Sequence, residues 1–125
     1  MSVGAEMADE LAQVARNLHL AGARRHIFLC VGSGKCAPVD ACESAWEHLK
    51  RRLRELGLVD VDAGVLRSKV GCLRVCREGP VAVVYPEAVW YRAVRGENLD
   101  RIIEQHLRDG RPVEELVFAR GGDAD

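Results

Sequence analysis

The stretch "HIFLCVGSGKCAP", residues 26–38, joins a short apolar run to a glycine-containing loop with a cysteine at each side. An apolar run of this length is typical of a buried strand, so we predict a strand over residues 25–31 that carries Cys30 to the start of the loop. The loop does not follow the phosphate-binding pattern, because that pattern needs a glycine and a hydroxyl where Leu29 and Cys36 stand. The sequence therefore predicts a loop closed by two thiols, Cys30 and Cys36.

A second cysteine pair, Cys72 and Cys76, follows Cys36 after 35 residues. We expect both loops to meet at one end of a sheet, and four thiolates from two loops are typical of a zinc site or an iron–sulfur site. The wide C-x5-C and C-x3-C spacings favour the larger body of a [2Fe-2S] cluster without settling the choice. A structural zinc module in an interaction protein is the alternative. The lack of a C-x2-C pair argues against a thiol oxidoreductase.

The fifth cysteine, Cys42, falls in the predicted first turn of a helix. We interpret it as a small, partly buried apolar side chain, which is the usual environment of a cysteine that binds nothing. An exchange of Cys36 for Cys42 as a ligand is the alternative that the spacing leaves open.

Composition limits the functions that the chain can have. With 125 residues and a net charge of -1, it suits one domain and offers no strong positive field for nucleic acid or an anionic membrane. No apolar stretch approaches the roughly 20 residues that span a bilayer. The N-terminus lacks the apolar run of a secretory signal, which predicts a cytoplasmic protein, where clustered thiols stay reduced.

Periodicity predicts an alternation of helices and strands. The predicted elements are a helix at 5–20, a strand at 25–31, a helix from Asp40 to Gly57, a strand near 64–68, a hairpin with strands at 81–84 and 89–92, a helix around 99–107 and an extended segment at 113–118. This order predicts an α/β fold of the thioredoxin-like type, with a mixed sheet of about four strands flanked by helices and an extra N-terminal helix.

Three local features are predicted with these elements. Asp40 and Glu43 have the spacing of a capping box at the start of the second helix. Glu47 and Arg51 are spaced to pair on its solvent face. In the hairpin, alternation sends Trp90 and its neighbour Tyr91 to opposite faces of the sheet, so we expect one of the two in the core.

The cysteine spacing together with the hairpin resembles the thioredoxin-like [2Fe-2S] ferredoxins, whose cluster fold also occurs in the small flavoprotein-associated subunit of respiratory NADH dehydrogenase. "HIFLC" at 26–30 is similar to the opening strand of that family, "GPVAVVYPEAVWY" at 79–91 to its hairpin and "HLRDGRPVEEL" at 106–116 to its ending. The resemblance covers about residues 25–118. One departure is Glu87-Ala88, where relatives often carry Asp-Gly, and it affects only the turn.

The resemblance implies a ligand set and a function. It implies that a [2Fe-2S] cluster is held by Cys30, Cys36, Cys72 and Cys76. It also implies a one-electron carrier rather than an enzyme, which passes electrons between redox proteins such as a flavoprotein or a hydrogenase and is a homodimer. The corresponding domains are an N-terminal helical extension at 1–24, the ferredoxin domain at 25–118 and a disordered tail at 119–125.

Residues beside the cysteines suit an electron carrier. Positive charge on Lys35, Arg74 and Arg77 would stabilise the reduced cluster, which carries more negative charge than the oxidised one. The backbone N–H groups of the glycines in the two loops could approach the sulfur atoms with no side chain between them. These are Gly32, Gly34 and Gly71. The alternative is that the glycines serve only the turns and the basic side chains are solvated.

Overall fold

The structure is a computed structural model that describes residues 3–31, 37–75 and 77–122, with side chains from residue 7 onward. Its helices are α1 (Val3–Asn17), α2 (Val39–Glu55) and α3 (Gly96–Arg101), which continues as a π-helix over Ile102–Arg108, and a 3-10 turn at Glu114–Leu116. Its strands are β1 (Arg25–Cys30), β2 (Val65–Val70), β3 (Ala82–Tyr85), β4 (Val89–Tyr91) and β5 (Val117–Arg120).

The strands form one mixed sheet in the order β2-β1-β3-β4-β5. β1 and β2 are parallel, since α2 crosses between them, and the other neighbours are antiparallel. The predicted α/β arrangement is confirmed. The sheet has five strands rather than about four, because the segment that ends the chain pairs with β4. This pairing includes Ala119 and Arg120, which the sequence assigned to the tail.

Both α2 and α3 cover one face of the sheet. Alternate residues of β1 point to this face, and Ile27 and Leu29 are fully buried. The apolar stripe of α2 packs on them through Leu49 and Leu53, which are also fully buried. From β4, Tyr91 enters the same core at 0% exposure, so the expectation for the hairpin pair is confirmed.

The outer face of the sheet carries aromatic side chains. Phe28 stacks on His26 with ring centroids 4.1 Å apart and meets the edge of Tyr85 at 6.0 Å. Trp90 and Phe118 meet edge to face at 6.4 Å. We call these five residues the outer aromatic face. They stay partly exposed, because α2 and α3 lie on the opposite face of the sheet.

The predicted N-terminal helix is confirmed as α1, which begins and ends slightly earlier than expected. Its apolar stripe faces solvent, since the exposed fractions are 56% for Met7, 67% for Leu11 and 49% for Val14. The segment after it is attached to the domain where His19 Nδ1 lies 2.8 Å from Asp62 Oδ1. α1 is therefore an amphipathic helix whose apolar side is not used in the fold.

Two local predictions for α2 are wrong. The helix begins at Val39 after an extended Pro38, with no side-chain cap, so Asp40 lies inside the first turn instead of capping it. Proline fixes its own φ and therefore sets the helix start earlier. The predicted pair also rearranges, because positions three and four apart are both neighbours on a helix. Glu47 pairs with Lys50 at 3.2 Å, and Arg51 pairs with Glu55 at 3.4 Å.

Candidate metal centre

The carboxyl ends of β1 and β2 bring two of the predicted ligands to one edge of the sheet. Cys30 is the last residue of β1 and pairs with Val70, the last residue of β2, and Cys72 follows two residues later. Neighbouring strands lie about 4.8 Å apart, so the two loops leave the sheet side by side, with Cys30 at the end of its strand and Cys72 two residues beyond the end of the other. Cys36 and Cys76 lie outside the described residues. The described residues place the starts of the two cysteine loops at the same end of the sheet, and the meeting of their thiols stays a prediction.

Cys30 is held rigidly within the sheet. Its side chain is 1% exposed, and its backbone N–H donates to the carbonyl oxygen of Val81 at 3.0 Å. The next N–H, of Val31, donates to Val70 O at 2.9 Å on the other side. Hydrogen bonds to both neighbouring strands therefore fix the backbone that presents this thiol.

Cys72 lies in a different environment, on an exposed loop. Its Sγ accepts a hydrogen bond from the backbone N–H of Arg74 at 3.2 Å. Arg74 has a left-handed backbone with φ 70°, which is uncommon for a residue other than glycine. A hydrogen bond of this kind stabilises negative charge on sulfur. The sequence singled out Arg74 for its side chain and missed this backbone contact, because no residue pattern signals a left-handed arginine.

Gly71 has no structural need to be a glycine. Its φ is not left-handed, and a Cβ built there meets no described atom within 4 Å. The turn alone therefore does not explain a glycine at this position, one residue before Cys72. Gly32 and Gly34 lie outside the described residues.

Cys42 is fully buried at 0% exposure in the first turn of α2, within the main core. Its Sγ lies 4.0 Å from the carbonyl oxygen of Ala37. Cys42 is thus more deeply buried than the partly buried side chain predicted, and its exclusion from the ligand set stays a prediction.

Histidines of the described chain contact other side chains instead of the cysteine loops. His26 Nε2 lies 2.8 Å from the hydroxyl of Ser68, and burial lowers the pKa of this histidine. His48 Nε2 lies 2.7 Å from Asp100. Within residues 7–31, 37–75 and 77–122, no three His, Cys, Asp or Glu side chains form a metal-binding group. Cys36 and Cys76 fall in the gaps between these ranges, so only Cys30 and Cys72 of the predicted ligand set are described.

The donors fit an iron–sulfur cluster better than a hard cation. Thiolate sulfur is a soft ligand, one thiol is anchored in the sheet and the other accepts an N–H bond. The two remaining cysteines follow Cys30 by six positions and Cys72 by four, so each loop can supply a second thiolate.

Two similar proteins decide the family. One, from Aquifex aeolicus (strain VF5), is named "Ferredoxin, 2Fe-2S" and is 34% identical over 108 residues, which cover 78% of this chain and 91% of that protein. Another of the same name, from Clostridium pasteurianum, is 32% identical over 96 residues, covering 74% of this chain and 94% of that protein. The chain belongs to the 2Fe-2S ferredoxins. No model of a protein family matches it.

Solved structures similar to this ferredoxin give its fold. A thioredoxin-like [2Fe-2S] ferredoxin from Aquifex aeolicus superimposes with a TM-score of 0.66 and 29% identity, over 81% of this chain and 96% of that one. A second structure, at 1.5 Å resolution, gives a TM-score of 0.65 over 78% and 98% of the two chains. The predicted thioredoxin-like fold and family resemblance are confirmed. Ferredoxins carry electrons and are not enzymes, as the sequence predicted. None of the described helices is long and apolar enough to cross a membrane.

Proposed function

We propose that Cys30, Cys36, Cys72 and Cys76 bind a [2Fe-2S] cluster with which this ferredoxin carries one electron at a time. The observation that carries the proposal is that Cys30 ends β1 and Cys72 follows closely after the end of β2, the adjacent parallel strand. Each of them has a second cysteine within reach on its own loop.

The solved variants of the Aquifex protein support the second pair. Two of those structures each carry one cysteine changed to serine, and the two cysteines are four positions apart in that protein. Cys72 and Cys76 have the same separation here. We therefore assign both as ligands.

The bound cluster would supply an acceptor and donor for a single electron. The protein would hold the cluster in place and stabilise the negative charge on its sulfur ligands. Cys30 gives a fixed anchor, because β2 and β3 both hold its backbone. The N–H of Arg74 stabilises charge on Cys72. Gly71 has no side chain between its backbone N–H and a cluster sulfur, which would account for a glycine that the turn does not require.

We also propose the cellular setting. The partners are redox proteins such as a flavoprotein or a hydrogenase, and the compartment is the cytoplasm, where free thiols persist before a cluster is inserted. The predicted domain of residues 25–118, extended to Arg120 by the pairing of β5, is the cluster-binding domain, and residues 1–24 are an accessory extension.

A homodimer is the proposed assembly. The outer aromatic face and the apolar stripe of α1 support it, because both are apolar surfaces left exposed by the fold. Sedimentation equilibrium should give twice the chain mass. A monomer at micromolar concentration would contradict the dimer and leave the electron-carrier function untouched.

Cluster content tests the main proposal directly. The chain is produced anaerobically with iron supplied, and iron, acid-labile sulfide and zinc are measured for each chain. We expect iron and sulfide in equal amounts, visible absorption that bleaches with dithionite, and an EPR signal after reduction. A colourless protein with one zinc would overturn the proposal in favour of the structural zinc module.

A further inference from the structure

Arginines gather beside the second cysteine loop. Arg74 and Arg77 flank its last ligand, and Arg92 and Arg95 lie on the segment that follows β4. Arg74, Arg77 and Arg95 are exposed, and the side chain of Arg92 is 41% exposed. We call these four residues the arginine rim.

The two segments that carry the arginine rim are bonded to each other. The backbone N–H of Ala93 donates to Glu78 O at 2.7 Å, and that of Val94 donates to Pro80 O at 2.8 Å. Ala93 and Glu78 both have left-handed backbones, with φ 49° at each. The two segments that carry the arginine rim are therefore held side by side by tertiary structure, and one of them continues directly from the loop of Cys72.

Most of the positive charge of the arginine rim is not neutralised. Arg74, Arg77 and Arg95 form no ion pair with any residue that the structure describes, and Arg92 approaches Glu78 only to 4.0 Å. The acidic residues of these segments are Glu78 and Glu97, so four arginines against two glutamates leave a net charge of +2. The whole chain carries -1, so the residues outside these two segments sum to a negative charge and the positive excess belongs to the segments of the arginine rim.

We propose that the arginine rim is the docking surface for a redox partner whose own contact surface is acidic. The inference rests on the proposed function, because it takes the cluster edge as the place where the electron leaves. Complementary charge raises the encounter rate and orients the two proteins, and the rim lies where orientation shortens the path to the cysteine loops. Exposed arginines also suit carboxylates through paired hydrogen bonds.

Small redox-active ions of opposite charge test the electrostatic potential at the arginine rim. The reduced protein is oxidised in a stopped-flow instrument by the anion ferricyanide and, separately, by the cation hexaamminecobalt(III). In the triple variant R74E/R77E/R95E, oxidation by ferricyanide should slow by about tenfold at low salt, and oxidation by the cobalt cation should accelerate. Both differences should shrink as added salt shortens the screening length to roughly 3 Å.

A matched triple variant controls for net charge. Arg16, Arg54 and Arg111 are exposed and lie away from the cysteine loops. α1 leads into the opposite end of β1, Arg54 is near the far end of α2, and Gly110, beside Arg111, approaches Arg25 at the start of β1. R16E/R54E/R111E makes the same change in net charge and should keep rates close to wild type. R95E alone is the fallback if the triple variant binds the cluster poorly, since Arg95 is distant in sequence from the cysteine loops.

An acidic polypeptide tests docking itself. Poly-L-glutamate should bind the arginine rim of the wild-type protein and slow its oxidation by ferricyanide, while poly-L-lysine should not slow it. In R74E/R77E/R95E, poly-L-glutamate should no longer slow the oxidation. Equal rates in the two triple variants, or no protection by polyglutamate, would overturn the docking surface. In that case the visible spectrum still reports the cluster, and its absence in the wild-type protein would instead overturn the proposed function.

Discussion

The hydroxyl of Tyr91 lies 2.8 Å from Nδ1 of His106, and both side chains are fully buried. Nε2 of His106 lies 3.3 Å from Glu87 Oε1, and because a carboxylate only accepts, the neutral ring carries its proton on Nε2. Nδ1 therefore accepts the hydroxyl proton of Tyr91, whose oxygen accepts the backbone N–H of Val113 at 3.0 Å. Arg25 donates to the same carboxylate at 2.9 Å. One chain of hydrogen bonds thus links β1, the hairpin turn, β4 and the end of the π-helix.

Replacing Tyr91 by Phe should destabilise the protein by about 2 kcal/mol, because it leaves Nδ1 of His106 and the N–H of Val113 buried without a partner. The measurement is the shift of the urea unfolding midpoint, followed by far-UV circular dichroism. Tyr85→Phe is the matched control on the same hairpin, since Tyr85 is 43% exposed. Equal midpoints for the two variants would contradict the buried hydrogen-bond chain.

Acid should destabilise this ferredoxin below about pH 6.5. Burial lowers the pKa of His106 from 6.5, although the carboxylate of Glu87 opposes the shift. The unfolded chain therefore binds a proton at this site before the folded chain does, and stability falls as pH drops through 6.5 by at most about 1.4 kcal/mol per pH unit. His26, whose pKa is also lowered by burial, acts in the same direction.

Glu87 extends this acid sensitivity to lower pH. Burial alone would raise its pKa, but the hydrogen bonds and charge of Arg25 outweigh burial, so the pKa falls below 4.5. Its stabilising effect is present above 4.5 and is lost as pH falls further. Urea midpoints at pH 7.5, 6.0 and 5.0 check the histidine part, and His106→Gln should flatten the slope. A wild-type urea midpoint that stays the same between pH 7.5 and 5.0 would contradict the predicted loss of stability on protonation of the buried histidines.

The sequence predicted the elements that depend on local pattern. β1 and the apolar stripe of α2 follow from their periodicity, and the position of Cys72 beside Cys30 follows from the parallel crossover. β5 was predicted only as a short extended segment, because its pairing depends on the free edge of β4. Tertiary contacts were not predictable: the chain from Arg25 to His106 joins distant positions, and the hydrogen bond to the sulfur of Cys72 needs a left-handed arginine.

Single changes of the four predicted ligands should remove the cluster, while Cys42 should not matter to it. Cys42→Ala is expected to keep the visible spectrum and to lower stability by about 1 kcal/mol, since a small buried side chain shrinks. Alanine at position 30, 36, 72 or 76 should lose or degrade the spectrum. The assignment of Cys36 fails if Cys36→Ala keeps the cluster and Cys42→Ala loses it.

Neutralising Arg74 should lower the reduction potential. Arg74→Asn removes one positive charge beside Cys72, and asparagine tolerates a left-handed φ, so the hydrogen bond to the sulfur is kept. An interaction of roughly 0.5–1 kcal/mol through partly solvated surroundings corresponds to roughly 20–40 mV for one electron. A redox titration followed by visible absorption measures it, with Arg54→Asn as the distant control. Identical potentials in the two variants would contradict a charge effect.

Removing α1 should leave the cluster intact. A deletion of residues 1–17 keeps His19 and its contact with Asp62, and it keeps the carbonyl of Gly22, which accepts the N–H of Ala63 at 2.8 Å. We expect an unchanged visible spectrum and unfolding midpoint, because the apolar stripe of α1 is exposed. Sedimentation of the truncated chain shows whether the helix takes part in self-association. A colourless truncated protein would mean that α1 supports the cluster-binding domain.

The interior position of β1 has a mechanical consequence for Cys30. Electrons move faster when the atoms around a redox centre shift little as its charge changes. The backbone of Cys30 is hydrogen-bonded to chain segments on both sides, so this thiolate cannot shift its backbone when charge is added, whereas Cys72 lies on an exposed loop. Low reorganisation energy in this ferredoxin would then originate in the stiffness of its sheet, and whatever adjustment remains would be confined to the solvent side.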